Sequence, residues 1–491
     1  MSSKDGYQWT RTAGLKTGVP TIGAIQPPSN LKGSEGEFDV LVVGGGYCGL
    51  TAARDAANYG LRVLLIEARD RIGGRSWSSN IGGYPYEMGG TWVHWAQPHV
   101  WREISRYQMR DEIVSSYDFS KGLNKFLLVN SNGTQAMSHD EEDSLMESAL
   151  TKVVNVDGQN GRLIMPFPHT AKYSADALAY DEISVADRID QIKDTLTPNE
   201  RAGVEGFVLL CSGGTTATTS FFEFLHWWAL CEHTYRGCIE YLVKYKFVGG
   251  QSSFAIKFFN ESLATNKLSY VMETPIAKVE QGKDSVKVIA RNGRTFKGAR
   301  LISTVPLNVL DTITFEPSLS PEKIAAFNIK HVNQCIKVHA EVTNTDLRSW
   351  TGINYPNNKL LYGFGDGTLP NGNTHVVTFG AQHNHFEPDE TMEETLEALN
   401  GLVVMKVEKV VGHNWSKDEF AKGAWFFPAP RYLGKYLDIL RAREGNVFFH
   451  SSDWALGWRS FIDGAIEEGT RAALAVKLDL ASRANEVRSA L

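Results

Sequence analysis

Cysteine is scarce in this chain. Its five cysteines, Cys48, Cys211, Cys231, Cys238 and Cys335, are odd in number, scattered and never spaced as Cys-x-x-Cys. That excludes a disulfide framework and a cysteine-based zinc site, and it fits a reducing compartment. No apolar run approaches the length needed to span a bilayer, and the polar opening, Met1 to Gly14, lacks the apolar core of a secretory leader. Basic residues form no block on any predicted helix, and 50 Lys and Arg against 56 Asp and Glu leave a formal net charge of −6. The electrostatic footprint of a nucleic-acid-binding protein is therefore missing. No internal repeat or low-complexity tract is present. A nucleophile elbow is lacking too, since Leu210-Cys211-Ser212-Gly213-Gly214 has no first glycine. His383 and His385 have no third ligand at useful spacing and read as a surface loop.

What the chain does have is length, 491 residues with 42% hydrophobic and 22% charged, enough for two or three domains or two interleaved ones. It also has one glycine-rich turn in an informative context. The apolar run Val40 to Val43 stops at Gly44-Gly45-Gly46-Tyr47-Cys48-Gly49, and a helix-like segment is predicted to start at Leu50. A second apolar run, Val63 to Ile66, ends in Glu67, eighteen residues past Gly49. Strand, turn, helix, strand and acid in this register describe a dinucleotide site. Gly44 permits the tight turn, Gly46 lets the backbone approach a pyrophosphate, and Gly49 lets the helix lie close on the strand. The helix N-terminus offers free N–H donors to the phosphates. Glu67 can accept from ribose hydroxyls and would repel a 2′-phosphate.

Only one such turn occurs. Gly363-Phe364-Gly365-Asp366-Gly367 imitates a second, but Pro370 and Gly372 follow where a helix should begin, so it is read as a loop. A chain with one turn binds a nicotinamide alone or a flavin alone. Two further small-residue turns, Gly73-Gly74-Arg75 and Gly89-Gly90-Thr91-Trp92, allow backbone contact with a long, extended cofactor. A nicotinamide would not need them all; FAD would.

Residues 1–36 read as an extended arm, and 121–248 as mostly helical. Strands dominate 268–305, with a turn at Asn292-Gly293, and Cys335 to Val342 is a further strand. A last strand near 447 leads into an apolar helix from Gly464, with the same α/β character as the opening unit. The fold class expected is α/β: a discontinuous, Rossmann-like dinucleotide-binding domain (37–120, 249–330 and 431–491) carrying an inserted mixed α+β domain (121–248 and 331–430). The terminal Ser489-Ala490-Leu491 resembles a peroxisomal address with Ala490 in place of its basic middle residue. A soluble peroxisomal or cytoplasmic protein is expected.

The segments around Gly44–Gly49, Val63–Arg75 and Tyr86–Trp92, together with Glu273-Thr274-Pro275-Ile276, Ser303 to Pro306, the strand at Lys337, the run through Trp425 and the stretch Asp453 to Ile462, resemble the flavin-containing amine oxidases. The resemblance covers nearly the whole chain beyond the arm and is greatest to the soluble fungal monoamine oxidases. It implies FAD contacts at Gly44, Gly46, Tyr47, Cys48 and Gly49, at Glu67, Ala68 and Arg69, at Gly74 and Arg75, at Gly89, Gly90, Thr91 and Trp92, and at Ile276, Asp453 and Ile462. Lys337 falls on the lysine that holds a water against flavin N5. Trp425 and Phe461 fall on two aromatic positions that flank the substrate amine. Ala424 stands where covalent relatives carry a flavin-bonding cysteine, which implies FAD held non-covalently. The partners implied are a small amine and O2, with no nucleic acid and no membrane. The oligomeric state is left open, a homodimer included. An oxidase for polyamines or amino acids would need, respectively, acids along the channel or an arginine clamp, and the sequence does not say whether Glu223, Glu232 or Arg236 reaches the pocket; a flavin-binding redox sensor without turnover is the other alternative, against which Lys337, Trp425 and Phe461 together argue.

Overall fold

The computed structural model describes residues 1–31, 36–116, 118–170 and 172–490. Its first sheet has eight strands. Leu268–Val271, Val63–Ile66, Phe38–Val43 and Thr295–Ser303 lie side by side in parallel, and Val447–Phe449 pairs in parallel with Thr295–Ser303. Val286–Ala290, Ile276–Gln281 and Thr314–Glu316 complete it. A parallel sheet covered on both faces must be apolar throughout, and Val40, Leu41, Val42, Val63, Leu64 and Leu65 are all fully buried.

One covering layer contains the helices Tyr47–Asn58, Gln251–Ala264 and Ile462–Ala490. The first presents Ala52, Ala53, Ala56 and Ala57 to a core that includes Ala472, Ala473 and Val476 of the last. Small side chains bring these backbones close, and a β-carbon on Gly469 would stand 2.4 Å from the Cys48 carbonyl oxygen. The helix after the glycine turn starts at Tyr47, three residues before the predicted Leu50. It begins as soon as the turn ends because Gly46 itself is the N-cap residue.

The second sheet has nine strands, in the order Gly14–Pro20, Ser2–Thr10, Val407–Gly412, Ile336–Val342, Thr374–Gly380, Leu360–Thr368, Thr351–Asn354, Phe126–Asn130 and Gly133–Met137. The helices His139–Val154, Pro198–Ser212, Phe221–Leu230 and Tyr235–Val243 contribute to one core beside it.

Two expectations are corrected here. The N-terminal segment is not a separate arm. Residues 2–20 form a hairpin whose first strand pairs antiparallel with Val407–Gly412. The buried Tyr7 and Val19 anchor it, and Ser3 Oγ donates to Asp70 at 2.6 Å. Gly363 to Gly367 is not a loop but part of the strand Leu360–Thr368, buried between two neighbours. Its glycines serve close packing: a β-carbon on Gly365 would lie 2.3 Å from the Leu347 carbonyl oxygen. Among the described residues no helix is long and apolar enough to cross a membrane. Of the C-terminal tripeptide, Ser489 and Ala490 end the last helix and Leu491 lies outside the described residues.

Candidate active site

One long cavity runs from the glycine turn of the first sheet to the inner face of the second. Gly44, Gly46, Tyr47 and Cys48 form its floor at one end. No side chain caps the helix that starts at Tyr47, so its first N–H groups are available to an anion. The backbone of Gly74 crosses directly over this turn, and a β-carbon there would come 2.9 Å from Gly46 Cα. The two glycine segments thus form one cradle. Glu67 is buried beside it, with Oε1 accepting from Arg69 N at 2.8 Å and Oε2 accepting from Gly45 N. Burial holds its carboxyl above the usual range.

The arginines after Glu67 brace the turn. The Arg69 guanidinium is buried against Asp5 (3.0 Å) and Asp418, and Arg71 pairs with Asp5 at 2.8 Å. Arg71 also donates to the Gly74 carbonyl at 2.8 Å. Arg69 therefore lines the cavity while its charge is turned to Asp5 and Asp418. Asp5, His413 and Asp418 form a compact group of metal-ligating type, but the two arginines already neutralise its carboxylates. These acids had no local signal, because each meets its partner across 64 to 349 residues of chain.

Arg75 lies further along. It donates to the Ala424 carbonyl at 2.8 Å, to Ser452 Oγ at 3.2 Å, and to Asp453. Asp453 is fully buried, and its other oxygen accepts from Leu307 N at 2.9 Å. Burial alone would raise its carboxyl, but Arg75, His331 and the Leu307 N–H outweigh this and lower it. Of the expected cofactor residues, Asp453 and Gly49 stand behind the wall. The others, including Ala68, Gly89, Gly90, Thr91, Trp92, Ile276 and Ile462, line the cavity.

Lys337 reaches it from the middle of the second sheet. Its strand, Ile336–Val342, is buried at every residue and flanked on both sides, so Lys337 is not a solvated edge residue. Nζ donates to the Gly89 carbonyl at 2.8 Å and to Thr91 Oγ1 at 2.5 Å, and lies 5.0 Å from the Trp92 ring centre. Burial pulls its amine below the usual lysine range.

Beyond Lys337 the wall turns apolar. Phe207, Leu210 and Cys211 come from one helix, Trp227 from the next, Cys238, Ile239 and Leu242 from a third, and Tyr362 and Phe379 from the sheet. Trp425 and Phe461 join them. The Trp425 indole N–H donates to the Cys211 carbonyl at 2.8 Å, which fixes its ring, and Phe461 packs on Trp227 with centroids 4.7 Å apart. Sequence reasoning missed most of this wall, since these residues look like ordinary core until the helices pack against the sheet.

Residues 47–477 match the flavin containing amine oxidoreductases. The chain belongs to that family. Its cofactor is therefore a flavin, and the cradle at Gly46 and Gly74, the uncapped helix and Glu67 fit the dinucleotide end of one. Nicotine dehydrogenase of Pseudomonas putida is 29% identical over 94% of this chain and 95% of its own length. Pseudooxynicotine dehydrogenase of a Pseudomonas species is 27% identical over 88% and 85%. Among solved structures, putrescine oxidase bound to putrescine superposes with a TM-score of 0.75 at 20% identity, over 90% of this chain and 99% of that one. This likeness shows the α/β amine-oxidase fold.

None of the three charged residues left open by the sequence lines the cavity. Arg236 pairs with Asp143 at the surface, and Glu232 is exposed and accepts from Tyr241. Glu223 is fully buried and takes Arg459 Nε at 3.1 and 3.3 Å. This pair sits one helical turn from Trp227 and two residues from Phe461, so it locks the two segments whose rings meet in the cavity. Removing one partner of a fully buried pair strands the other charge and costs about 3–5 kcal/mol. Glu223→Ala is expected to lower stability by that amount in denaturant unfolding; a change below about 1 kcal/mol, the range of exposed pairs, would disprove the lock.

Proposed function

We propose that this chain is an FAD-dependent monoamine oxidase that converts apolar alkyl or aryl amines to imines, which hydrolyse to aldehydes or ketones, with O2 reduced to H2O2. The observation that carries the reading is the character of the wall. Among the described lining residues the one carboxylate is Glu67, at the glycine-turn end, and the apolar half offers no acid to a second ammonium group. The arginines are engaged as well: Arg69 and Arg75 with aspartates, and Arg291 with Glu419. Neither a polyamine nor an amino-acid carboxylate finds its counter-charge there.

Bound FAD supplies the two-electron acceptor for the amine α-C–H bond and passes the electrons on to O2. The chain's own residues bind, orient and supply the field. Trp425 and Phe461 form the walls against which a flat amine lies, and their faces attract its ammonium form on entry. Exclusion of water from this apolar half favours the neutral amine, whose lone pair drives loss of hydride. Lys337 places a positive charge where negative charge develops. The N-terminus of the helix Ile462–Ala490 points the same sign of field at the cavity.

Two experiments test the reading. Peroxide release is expected from benzylamine and amylamine but not from putrescine or an L-amino acid. The names of the two Pseudomonas relatives favour a second reading, a dehydrogenase that hands electrons to another acceptor. Reduction of an artificial dye without peroxide would establish that one instead. Ala424 is buried in the wall and has no nucleophile, so denaturing and filtering the protein should pass all yellow colour. Flavin retained on the chain would rule out non-covalent binding.

A further inference from the structure

Behind the cavity wall lies a buried polar layer that the proposed reaction does not use. Glu87 ends the strand Tyr84–Glu87, two residues before Gly89, and is 2% exposed. It is held twice: its carbonyl accepts from His339 Nε2 at 2.7 Å, and its Oε1 accepts from Gln251 N at 2.8 Å. Oε2 is buried with no hydrogen-bond partner among the described residues. Gln251 opens the helix Gln251–Ala264 and is itself fully buried. Its Nε2 donates to the Thr91 carbonyl at 2.6 Å, and its Oε1 accepts from the Tyr47 hydroxyl at 2.8 Å. One residue thus fixes both Glu87 and the loop that receives Lys337. Lys337 Nζ spends its bonds on Gly89 and Thr91 rather than on a carboxylate, and the strongest opposite charge acting on it is that of Glu87.

We propose that Glu87 is the positioning residue for Lys337: through Gln251 it fixes the loop that seats the amine, and its buried carboxyl, two residues from Gly89, acts on the same ammonium group. This rests on the reading that places Lys337 beside the flavin. The surrounding groups leave these two to exchange charge. Lys246 and Asp366, the other charged pair of the layer, are in contact at 2.7 Å and cancel. Burial lowers His339 and His375, so both stay neutral, and it raises Tyr47, Tyr84 and Cys335, which stay protonated. Burial likewise drives Glu87 up and Lys337 down, while their mutual attraction opposes it. Without the carboxylate, Lys337 must release its proton at lower pH. An opposite charge nearby shifts a buried group by about one to three pH units.

The test follows the visible absorption of the oxidised, flavin-loaded, substrate-free protein from about pH 6 to about pH 10, the span in which displaced carboxyl and lysine groups titrate. In the native protein the Lys337 proton should be lost in the upper of the pair's two steps. Glu87→Gln, which keeps the acceptor for Gln251 N, should move that step's midpoint down by about one unit or more. Glu87→Asp should restore most of the shift, and in Lys337→Met the lysine transition should vanish, leaving only that of the Glu87 carboxyl displaced to higher pH. A midpoint unmoved or raised in Glu87→Gln, or a transition persisting at the native midpoint in Lys337→Met, overturns the proposal. Should Glu87→Gln fail to fold, infrared spectroscopy reads the pair from the other side: the protonated-carboxyl band of Glu87 should persist to higher pH in Lys337→Met than in the native protein, and an unchanged band overturns it. No step needs O2, so sluggish reaction with O2 would count against the oxidase reading alone.

Discussion

On the proposed oxidase reading, Lys337→Met will slow reoxidation of the reduced flavin by O2 about 10²–10³-fold, the usual effect of removing one preorganised charge partner, while flavin reduction by amine changes far less. Methionine keeps the length and apolar stem of the side chain but removes the charge. The two half-reactions differ in what they ask of that charge. Hydride leaving a neutral amine would leave a positive charge on the imine that balances the negative charge gained by the flavin, whereas the first electron to O2 would create an anion without such a companion, in a buried site where water cannot screen it. Burial makes the ammonium effective for the same reason that it makes it costly. The pH dependence follows in sign. Because burial lowers the Lys337 amine, its proton is lost as pH rises through a value below the ordinary lysine range, and the O2 step of the native protein should slow there while that of Lys337→Met stays flat. Stopped-flow mixing of anaerobically reduced protein with O2 measures it. Equal slowing of both half-reactions would remove Lys337 from this role.

How far the sequence could carry that argument depended on how local the cause was. The turn at Gly44–Gly49 was legible because its constraints are steric and lie within a few residues. The parallel strands were legible because burial on both faces leaves an uninterrupted apolar run, as in Val63 to Ile66. Lys337 was different. Nothing in Ile336–Val342 distinguishes a central strand from an edge, and only resemblance pointed inward; its burial depends on strands whose paired residues lie 32 to 74 positions away. The hairpin at 2–20 closes on a strand some 400 residues later, so composition suggested an arm. Gly363 to Gly367 misled in the other direction. Glycines that admit the Leu347 carbonyl to a buried strand look, in one dimension, like a flexible loop. The Glu223–Arg459 lock and the Asp5 and Asp418 braces were invisible for the same reason: charge pairs matter here through burial, and burial is a property of the assembled layers.

The glycine turn yields the second large effect, and it separates folding from cofactor retention. A β-carbon on Gly49 would stand 1.9 Å from the Gly44 carbonyl oxygen, so Gly49→Ala must push the helix Tyr47–Asn58 off its strand and out of its seat against Gly469. Overpacking of this kind costs about 1–3 kcal/mol or more, and the apoprotein itself should melt earlier. Gly46 differs. Its backbone is extended (φ −74°, ψ 176°), a conformation open to alanine, and its β-carbon would meet the Gly74 backbone at ordinary van der Waals distance, Cα at 3.6 Å and N at 4.0 Å. Gly46→Ala should therefore fold with an unchanged apoprotein Tm, yet place a methyl group in the cradle where a pyrophosphate must approach the backbone. FAD affinity should fall at least about tenfold, or about 1.4 kcal/mol, read as the ratio of flavin to protein absorbance after dialysis. On the proposed non-covalent binding, no tether at position 424 would mask that loss. A Gly46→Ala protein that kept its flavin through dialysis would show that the phosphates are not held at this turn.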